Sequence, residues 1–273
     1  MSEVGAKTRL QRLMQGDGNI RNILLCGMAE LIGSAILMLL ACGGAIATTN
    51  ARVPDYLQLT LNVGFAVMIV IQIFGHISGA HVNPAITVGA VILRKKNMTQ
   101  AAVHIVAQYI GTLLGYGLLR LATPSGMMRA RPQEGEGSFC VTALADKVSS
   151  TQGLFVEFLA TLILLLVAGA VWDQRNHHNH DSAPLRFGLT VTCLATVFGP
   201  YTGCIMNPAM SFAPAIWNGV WQHQWIYWLG PYAGAVAGAF LYKLVFGVKE
   251  VKKCDLPEAI ALNHIDGEKP ENV

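Results

Sequence analysis

Gly75-His76-Ile77-Ser78-Gly79-Ala80-His81-Val82-Asn83-Pro84-Ala85 aligns without a gap to Gly199-Pro200-Tyr201-Thr202-Gly203-Cys204-Ile205-Met206-Asn207-Pro208-Ala209. The likeness continues outward. Glu30 stands 53 residues before Asn83 and Glu157 stands 50 before Asn207, while Tyr109 and Gly111 correspond to Tyr232 and Gly234. One repeat is roughly residues 20–121 and the other roughly 153–246, joined by the polar segment 122–152.

Around this repeat the chain is built for lipid. Of its 273 residues 53% are hydrophobic and only 13% charged, about half the charge of an ordinary soluble domain. Six runs carry almost no charge: Ile23 to Ile46 (only Glu30), Tyr56 to Phe74, Ala101 to Leu119, Gly153 to Trp172 (only Glu157), Phe187 to about Pro200, and Trp225 to Tyr242. A helix needs roughly 20 apolar residues to cross a hydrocarbon core of about 30 Å; the fifth run is the shortest and weakest. Three spans per repeat is an odd number, so the second repeat sits upside down relative to the first. The fold expected is an all-α membrane protein, six transmembrane helices plus two half-helices in an inverted repeat. Residues 1–22 form an N-terminal segment, 23–247 the membrane domain and 248–273 a charged tail. Gly111, Gly115, Gly234 and Gly238 fall at i and i+4, a small-residue pattern for close helix contact.

Lysine and arginine orient the chain. With six spans, 14 of the 19 fall on the side shared by both termini, so both termini are expected in the cytoplasm of a multi-pass protein of the plasma membrane. Asn97-Met98-Thr99 matches a glycosylation acceptor but falls on the inner side and is read as unused. Trp217, Trp221, Trp225, Tyr227 and Trp228 are placed as an interfacial aromatic belt. A net charge of +3 is too small for a nucleic-acid footprint, and six cysteines are too sparse for a disulfide framework. Cys26, Cys42 and Cys193 are read as core packing. No nucleophile paired with a base and no metal-ligand spacing stands out, which argues against an enzyme and implies no cofactor and no metal; His177, His178 and His180 are read as a solvated loop cluster.

Asn-Pro-Ala is a helix start. Asn is a good N-cap acceptor, and Pro at the first helical position loses nothing by lacking an amide. From Asn83 to Leu93 and from Asn207 to Trp217 there are only 11 residues, about 16 Å of helix. Each motif therefore opens a half-helix, and inversion brings the two starts together near the bilayer midplane. The Gly-x-x-x-Gly stretches before them are read as too irregular for helix, backbone that is tolerated at membrane depth only inside protein or facing a water-filled cavity. Asn83 and Asn207 then offer amide donors at the midplane of a pore. The carbonyls of Gly79, Ala80, His81, Val82, Gly203, Cys204, Ile205 and Met206 line its approaches as acceptors. Helix N-termini, each worth roughly half a positive charge, favour neutral solutes over cations. Glu30 and Glu157 lie inside the membrane, where ionisable groups are costly; their symmetry suggests that each supports an Asn-Pro-Ala loop.

On these residues the chain resembles the aquaporin, or major intrinsic protein, family over about residues 20–247, most closely its animal water-channel branch. The resemblance implies six tilted helices, two half-helices, one pore per subunit and a homotetramer in membrane lipid, passing water and small neutral solutes. In similar channels four positions form the outer constriction: an aromatic in the second span, a His in the fifth, a residue three before the second Asn, and an Arg just after the second Ala. Carried over by spacing, these are Val63, Ala195, Cys204 and Met210, of which only Cys204 matches a typical animal water channel. The constriction is thus expected to be wider and poorer in donors, suiting glycerol or urea as well as water, as in some insect glycerol-conducting channels that lack the filter His. His76 is expected in the cytoplasmic vestibule. Two other readings stand beside this one: a junctional or regulatory protein whose pore Met210 occludes, and a coupled transporter, which would need unpaired carboxylates at the solute site.

Overall fold

Each long apolar run becomes a helix in the computed structural model, which describes residues 20–46, 55–124, 126–128 and 139–247, without the side chains of His177 and His180. The elements are α1 (Ile20–Gly43), α2 (Tyr56–Ser78), the short α3 (Pro84–Ile92), α4 (Met98–Ala122), α5 (Ser150–Val171), α6 (Ala183–Thr202), the short α7 (Pro208–Asn218) and α8 (Ile226–Leu241). A 3-10 segment Gln174–Ser182 leads into α6, and a π turn Tyr242–Phe246 extends α8. There are no strands among the described residues. Five helices, counting α8 with its π turn, are long and apolar enough to cross a membrane. The sixth long helix, α6, is the run that reads weakest. Its threonines explain how it tolerates lipid depth, because Thr190 Oγ1 donates to the Arg186 carbonyl and Thr196 Oγ1 to the Thr192 carbonyl, each at 2.7 Å. Side chains satisfied within their own helix expose no unpaired donor.

The packing repeats as the sequence does. α1 lies along α4 and α5 along α8, while α2 lies along α6. Each half-helix packs on the last helix of the other repeat, α3 on α8 and α7 on α4. Equivalent residues meet each other: Tyr109 Oη lies 3.4 Å from Tyr232 Oη, and a Cβ on Gly64 would press on the Gly188 carbonyl while one on Gly188 would press on that of Gly64. Self-contacts of this kind mark a pseudo-two-fold axis in the membrane plane. The small residues sit where helices touch, since a Cβ at Gly111 or Gly115 would strike the carbonyls of Leu31 or Ala35, and one at Gly234 that of Phe158.

Several sequence expectations need correction. The Gly-x-x-x-Gly stretches are not irregular: Gly75–Ser78 and Gly199–Thr202 are the last turns of α2 and α6, and only the second glycine of each, Gly79 (φ 89°) or Gly203 (φ 85°), ends its helix in the left-handed conformation. Cys42 is not simple core packing, because it forms a disulfide with Cys140 of the α4–α5 connector, with Cα atoms 5.8 Å apart. Of the aromatic cluster, Trp217, Trp221 and Trp225 are exposed, but Tyr227 is fully buried and donates to the Thr202 carbonyl at 2.9 Å. Asn97 is the N-cap of α4, its Oδ1 accepting the Gln100 amide at 2.8 Å. The N-terminal segment before Ile20 and the tail after Gly247 lie outside the described residues.

Candidate functional site

The two loops that precede α3 and α7 are held in a conformation their side chains do not favour. Beyond Gly79 and Gly203, the non-glycine residues Ala80 (φ 43°), Val82 (φ 41°), Cys204 (φ 51°) and Met206 (φ 54°) have positive φ. For β-branched Val82 this is an outlier, and such strain persists only where surroundings over-determine it. A buried carboxylate does so in each repeat. Glu30 Oε1 accepts the Ser78 hydroxyl (2.6 Å) and the His81 amide (2.9 Å), and its Oε2 accepts the Val82 amide (2.7 Å). Glu157 Oε1 accepts the Thr202 hydroxyl (2.7 Å) and the Ile205 amide (3.0 Å), and its Oε2 the Met206 amide (2.8 Å). The same hydroxyls accept the next amides, Ala80 on Ser78 and Cys204 on Thr202. Both carboxylates are fully buried.

Each Asn then caps its own half-helix and clasps the other. Asn83 Oδ1 accepts the Ala85 amide (2.9 Å) while its Nδ2 donates to the Met206 carbonyl (2.8 Å). Asn207 Oδ1 accepts the Ala209 amide (3.1 Å) while its Nδ2 donates to the Val82 carbonyl (2.8 Å). This exchange brings the two helix N-termini together. A carboxamide carries two N–H donors, so one N–H of each side chain remains for a molecule beside it.

A cavity of about 180 Å³ passes both asparagines. Its wall includes Val63, Ala195, Cys204 and Met210, together with Gly79, Ala80, His81, Val82, Gly203, Ile205 and Met206. Toward the end of the molecule where α1 starts it is bounded by Trp172 and Phe187, and toward the opposite end by Cys42 and Cys140. No Asp, Glu, Lys or Arg side chain lines it among the described residues. Glu30 and Glu157 are behind the loops rather than in the wall, and His76 is exposed in the last turn of α2, outside the lining. His81 contributes to the lining and packs backward, its ring 5.4 Å from that of His104 and 5.3 Å from that of Trp172.

Sequence reasoning missed Trp172, Phe187 and the disulfide. The aromatics sit at helix ends with no motif to flag them. The cysteines did leave a signal, because the topology puts both Cys42 and Cys140 on the side away from the termini.

Residues 20–242 match the family model described as MIP, Major intrinsic protein. The chain belongs to the major intrinsic protein family. Among its relatives, Aquaporin-4 of Bos taurus is 36% identical over 80% of this chain and 66% of its own length. Aquaporin-4 of Rattus norvegicus is 35% identical over 85% of the chain and 71% of its own length, and Aquaporin-2 of Homo sapiens is 34% identical over 80% and 77%. The X-ray structure of the aquaglyceroporin from Plasmodium falciparum superimposes with a TM-score of 0.72 at 26% identity, covering 82% of this chain and 97% of that one. Members of this family are channels, not enzymes.

Proposed function

We propose that the chain is a passive channel for water and for small uncharged solutes such as glycerol or urea, which move past Asn83 and Asn207 in single file. The observation that carries the reading is the cavity beside the two clasped asparagines, lined by the residues of both loops and by apolar side chains. A polyol presents hydroxyls on one edge and C–H groups on the other, so each edge meets a matching surface. Val63 and Ala195 contribute little bulk, and Met210 brings a thioether in place of the guanidinium of similar channels, whose five donors are always charged. Cation exclusion then rests on the half-helix N-termini.

The coupled-transporter reading loses its support, since Glu30 and Glu157 are occupied by loop amides and turned away from the cavity. An occluded pore has one observation in its favour: Met210 is flexible and only partly buried at the cavity wall. We infer that both termini face the cytoplasm at the plasma membrane, as the lysine and arginine bias suggests. The Cys42–Cys140 crosslink supports this orientation by lying on the opposite side, where disulfides persist. We also infer a homotetramer, the general assembly of the family; exposed Leu24, Leu25, Met28, Phe65 and Ile69 on α1 and α2 suit either a neighbouring copy or lipid.

Swelling of liposomes containing the purified protein tests the reading. Glycerol and water entry well above that of empty vesicles is expected, and water flow without any polyol or urea flow would overturn the solute assignment.

A further inference from the structure

The inverted repeat accounts for nearly all of the cavity wall, but not for its outer end. Cys42 corresponds by spacing from the paired glutamates to Gly169 in the second repeat, so no counterpart of the crosslink exists at the inner end. Its partner Cys140 belongs to the connector between repeats, and both sulfur-bearing residues line the cavity beside Met210. Met210 packs against the cluster formed by Met38, Cys42, Tyr116, Leu119, Phe139 and Ala213. Cys140 itself has φ 60°, a left-handed conformation uncommon for a residue with a Cβ.

We propose that the Cys42–Cys140 disulfide is a selectivity element of the outer constriction, holding the connector against α1 behind Met210 so that the path admits three-carbon polyols and rejects longer ones. This rests on the reading of the cavity as a solute path. The crosslink is not what folds the connector. Tyr116 Oη donates to the Phe139 carbonyl (2.7 Å), Gln224 Nε2 to Thr142 Oγ1 (2.9 Å) and the Ala145 amide to the Tyr201 carbonyl (3.0 Å). With those three anchors intact, loss of the disulfide releases only the stretch at the cavity wall. Cys140 then relaxes from its left-handed backbone, and the unbranched Met210 side chain gains room to swing aside.

The test compares erythritol with glycerol entry into proteoliposomes holding wild type, wild type treated with a reductant, and Cys42→Ala/Cys140→Ala. The erythritol-to-glycerol permeability ratio should rise about tenfold in both disulfide-free samples, the low end of what one methylene of fit is worth in an enclosed site. An unchanged ratio in samples that still pass glycerol overturns the proposal and leaves the channel reading intact. Alkylation of both cysteines in unreduced wild type overturns it as well. If the double variant does not reconstitute, the reduced wild type decides alone. A wild type that passes neither water nor glycerol removes the channel reading and this proposal together.

Discussion

The two glutamates hold the same loop in two differently furnished surroundings. Glu157 receives two amides and one hydroxyl. Glu30 receives the same set plus Gln108 Nε2 at 2.7 Å, and His104 Nδ1 stands 3.7 Å away. By spacing, Gln108 corresponds to Pro231 and His104 to Tyr227. The carbonyl that ends each preceding helix is also capped differently: Lys96 Nζ donates to Ser78 O at 2.8 Å, whereas the Tyr227 hydroxyl donates to Thr202 O. Where the repeats agree, at the carboxylate, the hydroxyl and the Asn, the loop conformation depends on the group. Where they differ, the second repeat shows that no imidazole, ammonium or carboxamide is needed to build the loop. Those groups belong to the first repeat alone and not to the shared device.

The largest expected effect comes from removing the shared carboxylates. Glu30→Ala orphans four buried donors and Glu157→Ala three, each costing roughly 1–3 kcal/mol if nothing replaces the acceptor. Both variants should lose most of their stability in detergent, Glu30→Ala the more, as measured by thermal unfolding of the monodisperse fraction. The reverse order would mean that the Gln108 and His104 side compensates rather than depends.

Met210 corresponds by spacing to Ile86, and both line the cavity. Met210→Arg makes the two half-helices unlike in charge and adds bulk and donors on one side. Glycerol permeability should fall by about tenfold or more, the scale of a lost methylene of fit, while water flow continues. A rise in both would point to Met210 as a plug.

A smaller and symmetric effect is expected at the asparagines. Asn83→Ala and Asn207→Ala each delete an N-cap and one clasp of 2.8 Å. Each should cost about 1–2 kcal/mol of stability, and the two should agree closely in an unfolding experiment. Unequal losses would break the pseudo-symmetry argument.

The smallest effect is at the end of the molecule where α1 starts, in a contact that has no counterpart among the paired residues above. Arg175 donates to both carboxylate oxygens of Asp173 and holds its carboxyl well below the usual carboxylate range, with Tyr242 Oη as a further donor at 2.9 Å. A depressed carboxyl stabilises the folded chain at all pH values above its unfolded pKa of about 4, and that contribution fades only as pH falls through the lower folded value. Unfolding temperatures of wild type and Asp173→Asn should therefore differ by the same small amount between pH 5 and 8, and converge only in strong acid.

Much of this was legible in the residues because repetition supplied the control that one motif lacks. Asn83 and Asn207 each read as an ordinary helix start, and only their inverted pairing led to the expectation that the two starts meet, as the reciprocal 2.8 Å clasps show. The helix boundaries were not legible at Gly75 and Gly199, since one glycine of each pair is a left-handed cap and the other opens the last helical turn, and both look alike in sequence. The disulfide joins residues 98 apart with no motif spacing between them, and the aromatics Trp172 and Phe187 become cavity wall only through the packing of the helices that carry them. α6 reads weakly because hydropathy counts threonine as polar, without knowing that its hydroxyl bonds within the helix.

A passive path for neutral solutes between the two asparagines makes transport depend on the solute gradient alone. Glycerol flux into reconstituted vesicles, measured against glycerol gradient, membrane potential and sodium or proton gradient, tests it most directly. Flux should be linear in the glycerol gradient, indifferent to ion gradients and potential, and accompanied by no cation current. Saturable uptake driven by an ion gradient, or permeability equal to that of empty vesicles, would contradict it.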